Sequence, residues 1–272
     1  MTGLTTQAVV LARGLGTRMR RSDPAVALSP GQAAAAEQGM KAMIPVGRPF
    51  LDYLLSGLAD AGCERVILVI GPEHTSVRDR YDGPARPRRV ALDYAIQAEP
   101  RGTADAVAAA EGTVANAPFI VINGDNYYSP PDLRALAAHG GAGLLGYRRS
   151  ALIARSSIDP NRVLAYALIE EDDGYLRRIV EKPDPATAAA FGPDPLVSMN
   201  AWSFTPKIFT ACRAIGPSPR GELELQDAVR WAQANLAERF RIVPAEDGVL
   251  DLSSRGDIAE VARRLESVAV SL

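Results

Sequence analysis

The sequence predicts an α/β fold built on a mostly parallel, doubly wound sheet. Two observations support this prediction: short apolar runs of strand length recur from the start of the chain, and segments with helical spacing separate them. The first half predicts strands over residues 8–12, 64–70, 90–97 and 119–123, and helices over residues 51–61 and 103–111, the latter with Thr103 as its N-cap. Strands that alternate with helices in this way usually pair in parallel, with helices on both faces.

The second half begins with a predicted β-hairpin. Strands over residues 163–169 and 175–180 flank Asp173-Gly174, a dipeptide typical of tight hairpin turns. A further strand is predicted over residues 197–204, and helices are predicted over residues 223–238 and 258–268. Because neither an internal repeat nor a linker interrupts the chain, we expect one continuous domain over residues 1–272.

Composition excludes several classes of protein. The 272 residues carry a formal net charge of −2 and are 47% hydrophobic, which suits a large α/β core and argues against a dedicated nucleic-acid-binding protein. No apolar stretch approaches the roughly 20 residues needed to cross a bilayer and no signal peptide opens the chain, so we expect a cytoplasmic protein without membrane partners. The cysteines, Cys63 and Cys212, form no disulfide or metal framework, and two histidines are too few for a histidine-rich metal site.

Lysine is rare in this chain. Only three of the 30 lysine and arginine residues are lysines, namely Lys41, Lys182 and Lys207. Since arginine is used nearly everywhere that surface charge suffices, each remaining lysine is a candidate for a place that needs a compact ammonium group. Chance retention on a solvated face is the alternative, and we expect it for Lys207, which lies outside every motif.

Residues 24–40 form an unusual segment between two motifs. Ser29-Pro30 is a good N-cap and first-turn pair, residues 32–38 form a short Ala-rich helix, and Gly39 ends it. We interpret the segment as a mobile flap over a phosphate site, with a tolerated surface insertion as the alternative.

A glycine loop follows the first predicted strand, in residues 13–19 (RGLGTRM). Glycines after a strand let backbone N–H groups approach a phosphate chain closely. Because Met19 occupies the third glycine position, the loop is no dinucleotide fingerprint, and it lacks the Gly-Lys-Ser/Thr of a P-loop. Alone, the loop could be only a tight turn between a strand and a helix.

Together with residues 41–49 (KAMIPVGRP), the glycine loop resembles the signature of the sugar nucleotidyltransferases. The resemblance extends over nearly the whole chain through five further runs: residues 97–104 (QAEPRGTA), 123–126 (NGDN), 181–183 (EKP), 220–227 (RGELELQD) and 248–252 (GVLDL). The run at 220–227 is similar to one in glucose-1-phosphate thymidylyltransferases. The family fold is a Rossmann-like, doubly wound mixed sheet of the GT-A-like type, with an inserted sugar-binding β-hairpin region. The resemblance implies a nucleotide-binding half (about 1–127), a sugar-phosphate-binding half (about 128–252) and a C-terminal helix (253–272).

The resemblance also implies an enzyme that condenses a nucleoside triphosphate with a sugar 1-phosphate, giving a nucleoside-diphosphate sugar and pyrophosphate. An oxygen of the sugar phosphate attacks the α-phosphorus in line, which requires positioning and charge neutralisation rather than a protein nucleophile. By this resemblance, Arg18 and Lys41 would be catalytic residues that neutralise the triphosphate and the departing pyrophosphate. Asp125 and Asp251 would hold Mg²⁺, the implied cofactor.

The remaining site residues come from the same resemblance. The nucleotide would contact Leu11, Ala12, Arg13, Gly14, Gly16, Thr17, Gln97, Gly102 and Thr103. The sugar phosphate would contact Asn126, Tyr166, Ala167, Glu181, Lys182 and Asn200. Asn200 has a second interpretation, as a buried amide that bonds to the backbone. Because Gly14, Gln97 and Asp125 come at the ends of predicted strands, we expect them to face one crevice at the carboxyl ends of the sheet.

Gln97 favours a pyrimidine base, from dTTP or UTP, because an amide both donates and accepts, as the imide edge of uracil or thymine does. Arg13 stands where the family usually has Ala or Gly, so guanylyl transfer to a mannose- or heptose-type 1-phosphate is an alternative. A non-catalytic homologue that binds sugar nucleotides and regulates a partner is another. A cytidylyltransferase acting on a non-sugar phosphate is disfavoured by residues 181–183 and 220–227. Since family members often form dimers or tetramers, a homo-oligomer is compatible with the resemblance.

Overall fold

The computed structural model describes residues 4–163 and 166–272. Its strands are β1 (Gln7–Leu11), β2 (Arg65–Ile70), β3 (Ala91–Ile96), β4 (Phe119–Asn123), β5 (Asn126–Tyr127), β6 (Gly143–Arg148), β7 (Ala167–Asp172), β8 (Tyr175–Val180), β9 (Leu196–Ser198), β10 (Trp202–Phe204), β11 (Arg241–Ala245) and β12 (Leu250–Asp251).

The helices before the hairpin are α1 (Thr17–Arg20), α2 (Pro30–Gln38), α3 (Phe50–Asp60), α4 (Thr75–Tyr81), α5 (Thr103–Ala109), α6 (Pro130–His139), α7 (Arg149–Arg155) and α8 (Pro160–Val163). Those after it are α9 (Pro185–Ala190), α10 (Lys207–Ala214), α11 (Leu225–Leu236) and α12 (Asp257–Leu265). A 3₁₀ turn spans Lys41–Met43. Within the described ranges, none of the helices has the length and apolar character needed to cross a membrane.

Ten of the described strands form one mixed sheet in the order β11-β8-β7-β9-β6-β10-β4-β1-β2-β3, with β11 also paired to β6. Strands β3, β2, β1 and β4 are parallel, as the alternation of strands and helices predicts. Strand β10 runs antiparallel to both β4 and β6. Strands β5 and β12 form a separate antiparallel pair. The doubly wound mixed sheet implied by the resemblance is confirmed. The expectation of a mostly parallel sheet is wrong, because only β1–β2, β1–β4, β2–β3 and β6–β11 pair in parallel, whereas β7, β8, β9 and β10 pair antiparallel to their neighbours.

Helices cover both faces of the parallel strands, and the residues of β1 show this directly. Ala8 and Val10 belong to one buried cluster, whereas Val9 between them belongs to a second. Successive side chains of a strand point to opposite faces, so β1 is buried from both sides. A parallel sheet with both faces covered needs near-continuous apolar runs, which explains the sequence of β1, β2 and β4.

The predicted hairpin forms, with β7 antiparallel to β8. Its turn residues Asp173 and Gly174 have φ values of 50° and 74°, the left-handed conformation that a two-residue turn of this type requires. The hairpin is not a separate layer, because β7 also pairs with β9, and β8 with β11. Of the predicted strand 163–169, residues 164 and 165 lie outside the described part of the chain, and β7 begins at Ala167.

Two local predictions are wrong. The predicted strand 197–204 is interrupted between β9 and β10, where Asn200 adopts a left-handed φ of 58° that no strand accommodates. Thr103 is not the N-cap of α5, because Gly102 takes that position with a φ of 125°. The Thr103 hydroxyl instead accepts a hydrogen bond from the backbone N–H of Leu225 at 3.0 Å.

The helix predicted inside residues 24–40 is confirmed as α2. Ser29 accepts from the backbone N–H of Gln32, and the Gln32 side chain accepts from that of Ser29, so the two form a capping box. Gly39 ends the helix in a left-handed conformation. Mobility of this segment stays a prediction.

Candidate active site

A cavity of about 410 Å³ opens at the carboxyl ends of β1, β3 and β4. Of the residues predicted to form the site, those that line it are Leu11, Ala12, Arg13, Gly14, Gly16, Thr17, Arg18, Lys41, Gln97, Gly102, Thr103 and Asp125. Its wall also contains residues to which the sequence assigned no role, and all of them except Ala106 lie in the runs that carry the resemblance: Leu15, Ala42, Pro100, Ala106, Asn123, Gly124 and Glu222. The expected crevice, in which Gly14, Gln97 and Asp125 meet, is therefore present.

The two glycines of the loop after β1 serve different purposes. Gly16 has a φ of 60°, and a Cβ there would come within 2.3 Å of the Gly39 carbonyl oxygen, so only glycine fits. A Cβ on Gly14 would contact no protein atom within 4 Å. Gly14 thus leaves open the space beside the loop, and its backbone remains accessible to a ligand in the cavity.

Lys41 and Asp125 form an ion pair in the cavity wall. The Lys41 Nζ donates to Asp125 Oδ2 at 2.7 Å, and the two side chains are 15% and 24% exposed. Lys41 begins the 3₁₀ turn that follows α2, while Asp125 lies just beyond β4. One of the three lysines in the chain thus lies in the cavity where the triphosphate is expected to bind.

Asp251 is placed beside Asp125 by the small sheet of β5 and β12. Asp251 pairs with Asn126 across this sheet, and the Leu252 N–H donates to the Asp125 carbonyl at 2.8 Å. Burial is the main cause that raises the pKa of Asp251, with a further contribution from the nearby charge of Asp125. Two adjacent carboxylates, one of them facing the cavity, form a donor set that suits Mg²⁺, which binds few protein carboxylates together with phosphate oxygens.

Donors surround the Asp251 carboxylate on both oxygens. Oδ1 accepts from Asn126 Nδ2 at 3.0 Å and from the Ser253 hydroxyl at 2.8 Å. Oδ2 accepts from the Tyr166 hydroxyl at 3.1 Å and from the guanidinium of Arg162. Asn126 and Tyr166, which the resemblance assigned to the sugar phosphate, therefore orient a carboxylate. The contribution of Arg162 was not found from the sequence, because it lies 89 residues from Asp251 and in no motif.

Gln97 is held with its amide in one orientation. Its Nε2 donates to the Gly102 carbonyl at 3.0 Å and to Asp105 Oδ2 at 2.9 Å. A primary amide has two N–H donors, so both are used within the protein. The expectation that Gln97 both donates to and accepts from a base is therefore wrong in its first half, since only Oε1 is left to accept.

Arg13 is largely buried in the cavity wall. Its Nη2 donates to the Ala98 carbonyl at 2.9 Å and lies 3.4 Å from Glu73 Oε1. The Nε and Nη1 atoms have no hydrogen-bond partner among the described residues. Arg13 thus ties the glycine loop to the segment that follows Gln97.

The predicted sugar-phosphate residues Glu181, Lys182 and Asn200 lie in loops at the ends of β8 and β9. Lys182 and Asn200 both have a left-handed φ, of 45° and 58°, which is rare for residues other than glycine and often marks functional positions. Burial raises the pKa of Glu181, and the positive charges of Arg220 and Lys182 partly offset this increase. Ala167 is buried at the start of β7, where it pairs with Ser198.

Gln226, which was not singled out from the sequence, joins two of these residues. Its Nε2 donates to Asn200 Oδ1 at 3.0 Å and to Glu181 Oε2 at 3.3 Å. Gln226 lies inside the run at 220–227 that carries part of the resemblance, and this was the available signal. Asn200 is thus bonded to side chains, although the sequence left open a role in bonding backbone.

The segment before Gln226 also joins the cavity wall. The Leu223 N–H donates to the Arg101 carbonyl at 2.8 Å, and the Leu223 carbonyl accepts from Ala104 at 2.9 Å. We call residues 223–226 the connecting segment, because they contact the loop before α5 and reach Glu181 and Asn200. A Cβ on Gly102 would lie 2.4 Å from the Leu223 carbonyl oxygen, so this packing requires glycine.

Comparison with known proteins agrees with this arrangement. The family model described as nucleotidyl transferase matches residues 7–264. A UTP–glucose-1-phosphate uridylyltransferase of Haloferax volcanii is 30% identical over 225 residues, covering 82% of each chain. A glucose-1-phosphate thymidylyltransferase of Neisseria gonorrhoeae is 25% identical over 274 residues, covering 96% of this chain and 83% of its own.

A solved structure with the same fold is that of a UDP-glucose pyrophosphorylase in complex with UDP-glucose. It superposes with a TM-score of 0.73 at 20% identity, covering 98% of this chain and 100% of that one. At this identity the likeness shows the fold, which is the GT-A-like nucleotidyltransferase fold expected from the sequence. The chain belongs to the nucleotidyl transferase family, among its sugar nucleotidyltransferases.

Proposed function

We propose that the protein transfers a uridylyl or thymidylyl group from UTP or dTTP to a sugar 1-phosphate. A phosphate oxygen of the sugar forms a bond to the α-phosphorus, while the bond from the α-phosphorus to pyrophosphate breaks. The observation that carries this proposal is the single cavity in which the glycine loop, the Lys41–Asp125 pair and the acceptor oxygen of Gln97 meet.

The orientation of Gln97 favours bases whose ring nitrogen on the Watson–Crick edge carries a hydrogen and can donate to Oε1. Its remaining acceptor, Oε1, complements the N3–H group of uracil or thymine, whereas cytosine and adenine present a ring nitrogen acceptor there. Guanine has an N1–H donor and passes the same test, so guanylyl transfer is the second candidate. The relatives named above act with UTP or transfer a thymidylyl group, which supports the pyrimidines.

The triphosphate lies against the glycine loop in this proposal. Backbone N–H groups of Gly14 and Gly16 face its oxygens, and Thr17 lies at the start of α1. Arg18 and Lys41 neutralise the charge of the triphosphate and of the leaving pyrophosphate. Arg18 is anchored by its Nη2, which donates to the Ser253 hydroxyl at 3.3 Å.

Asp125 and Asp251 are the residues that hold the divalent cation, which we propose is Mg²⁺. When bound, Mg²⁺ neutralises phosphate charge shared between the two substrates. Each oxygen of Asp251 already accepts two hydrogen bonds, so Asp251 would release one of these donors when it ligates the cation. Lys182 binds the sugar phosphate, and Glu181 and Asn200 contact the sugar hydroxyls.

A pyrophosphate-release assay tests the proposal. Each of UTP, dTTP, GTP, CTP and ATP is combined with Mg²⁺ and each member of a panel of hexose 1-phosphates. We expect release only when UTP or dTTP is present together with one sugar phosphate. Release with GTP alone among the triphosphates would favour the guanylyl candidate, and release with CTP or ATP would contradict the role of Gln97. Tight nucleotide binding without release across the panel would favour the regulatory alternative.

A further inference from the structure

We propose that Gln226 is a positioning residue that fixes the hydrogen-bonding pattern with which Glu181 and Asn200 meet the sugar. This inference rests on the proposed function, because it concerns the sugar 1-phosphate. It assigns a role to a residue that touches no substrate and acts only through the two side chains it bonds.

Gln226 is well placed to do this. It is 5% exposed and lies in the first turn of α11, close to the end of β8 and to the interruption between β9 and β10. Both N–H groups of its amide are used, one on Asn200 Oδ1 at 3.0 Å and one on Glu181 Oε2 at 3.3 Å. A buried amide with both donors engaged cannot rotate without losing both bonds, so its orientation is fixed.

These bonds decide what Asn200 and Glu181 present to a ligand. Asn200 Oδ1 accepts from Gln226 and also lies 3.5 Å from the Trp202 indole N–H, which donates to it. With both lone pairs of Oδ1 engaged, the Nδ2 donors of Asn200 remain. Glu181 Oε2 accepts the hydrogen bond from Gln226, so Oε1 is the oxygen that can accept from a ligand. As far as the described residues show, the pair therefore offers an amide donor group and a carboxylate acceptor side by side, which complements two neighbouring hydroxyl groups.

The backbone around Gln226 supports the same role. The preceding residue, Leu225, donates its N–H to the Thr103 hydroxyl at 3.0 Å, so the start of α11 is attached to the wall of the nucleotide cavity. Asn200 has a left-handed φ of 58°. Its side chain therefore leaves the backbone in a direction that a residue within a regular strand does not adopt. The donor and acceptor pair is thus positioned relative to the cavity by the connecting segment.

The test replaces Gln226 by Met, which keeps the length of the side chain and removes both donors. Gln233→Met is the matched control, because Gln233 lies on the same helix and donates to the Leu176 carbonyl at 2.7 Å, away from the site. Kinetics are measured with the best hexose 1-phosphate of the wild type and with its monodeoxy derivatives. Gln226→Glu, which also keeps the volume but adds an acceptor facing Glu181, is the second variant in case Gln226→Met does not fold.

We expect Gln226→Met to raise KM for the hexose 1-phosphate about tenfold or more, with KM for the nucleotide unchanged. The penalty should disappear with the deoxy derivative that lacks the hydroxyl bound by Asn200 or Glu181, and Gln233→Met should behave like the wild type. An equal loss for the hexose and every deoxy derivative, or an unchanged KM, would overturn the positioning role alone. An inactive wild type would overturn the proposed function together with it.

Discussion

At the scale of single residues, two of the three lysines lie at positions proposed for the site. Lys41 pairs with Asp125 inside the cavity wall, and Lys182 follows the hairpin strand with a left-handed φ. Lys207, which the sequence left on the surface, is 57% exposed and pairs with Glu238. An ammonium group is compact and strongly hydrated, whereas a guanidinium is a planar fork, so the two are not equivalent in a tight site.

Lys41→Arg should therefore reduce kcat by about 100-fold or more although the charge is kept, because a planar guanidinium spreads its charge and does not reproduce the compact point charge of the ammonium group. Lys207→Arg is the control and should retain the kcat of the wild type. Steady-state kinetics, with thermal unfolding to confirm the fold, check this expectation. A Lys41→Arg variant within a few-fold of the wild type would show that position 41 needs only charge.

The residues that the sequence revealed and those it missed differ in a physical way. Gly16, Lys41 and Asp125 lie in short contiguous runs, so the resemblance that assigns their roles can be recognised from the sequence. Arg162 and Gln226 gain their roles only from contacts with partners 89 and 26 or more residues away. Likewise, Gln97 was found from its motif, but its orientation depends on Asp105 and the Gly102 carbonyl.

At the scale of elements, apolar periodicity located most strands and helices, and local contacts set their ends. Strand β4 spans the predicted residues 119–123, because both of its faces are buried and the run is continuously apolar. The run at 197–204 (VSMNAWSF) also has the composition of a strand, yet Asn200 interrupts it where its side chain accepts from Gln226. The start of α5 was misassigned because Thr103 bonds to α11, a contact that no local pattern indicates.

Gly102→Ala tests the contact between α5 and the connecting segment. An added Cβ would lie 2.4 Å from the Leu223 carbonyl oxygen at a φ of 125°, so we expect a loss of about 1–3 kcal/mol in the free energy of unfolding. Gly112→Ala is the control, since a Cβ there meets nothing within 4 Å. Urea unfolding of both variants measures the difference. Equal free energies of unfolding would show that the connecting segment can move away from residue 102 without a loss of stability.

The α2 segment gives a second prediction at this scale. Gly39 at its end lies in backbone contact with Gly16 of the loop, and the Gln38 carbonyl accepts from Arg20 at 2.7 Å. If residues 24–40 form a flap over the triphosphate, bound nucleotide should slow limited proteolysis within them. Cleavage at the same rate with and without nucleotide would favour a surface insertion.

At the scale of the whole molecule, one extended sheet carries both parts of the site. The parallel strands β1, β3 and β4 end at the nucleotide cavity, and β8 and β9 end at Glu181 and Asn200. The connecting segment bonds to both regions, which supports one reaction between two bound substrates. The division into a nucleotide half and a sugar-phosphate half remains a prediction from the resemblance.

The most direct measurement is phosphorus NMR of the wild type with UTP, Mg²⁺ and the hexose 1-phosphate that supports pyrophosphate release. Transfer predicts that pyrophosphate and a nucleoside-diphosphate sugar appear in equal amounts, and that neither forms when one substrate is omitted. Asp125→Asn should form neither product while it keeps the fold. Formation of UDP or UMP from UTP, independent of the sugar phosphate, would contradict nucleotidyl transfer.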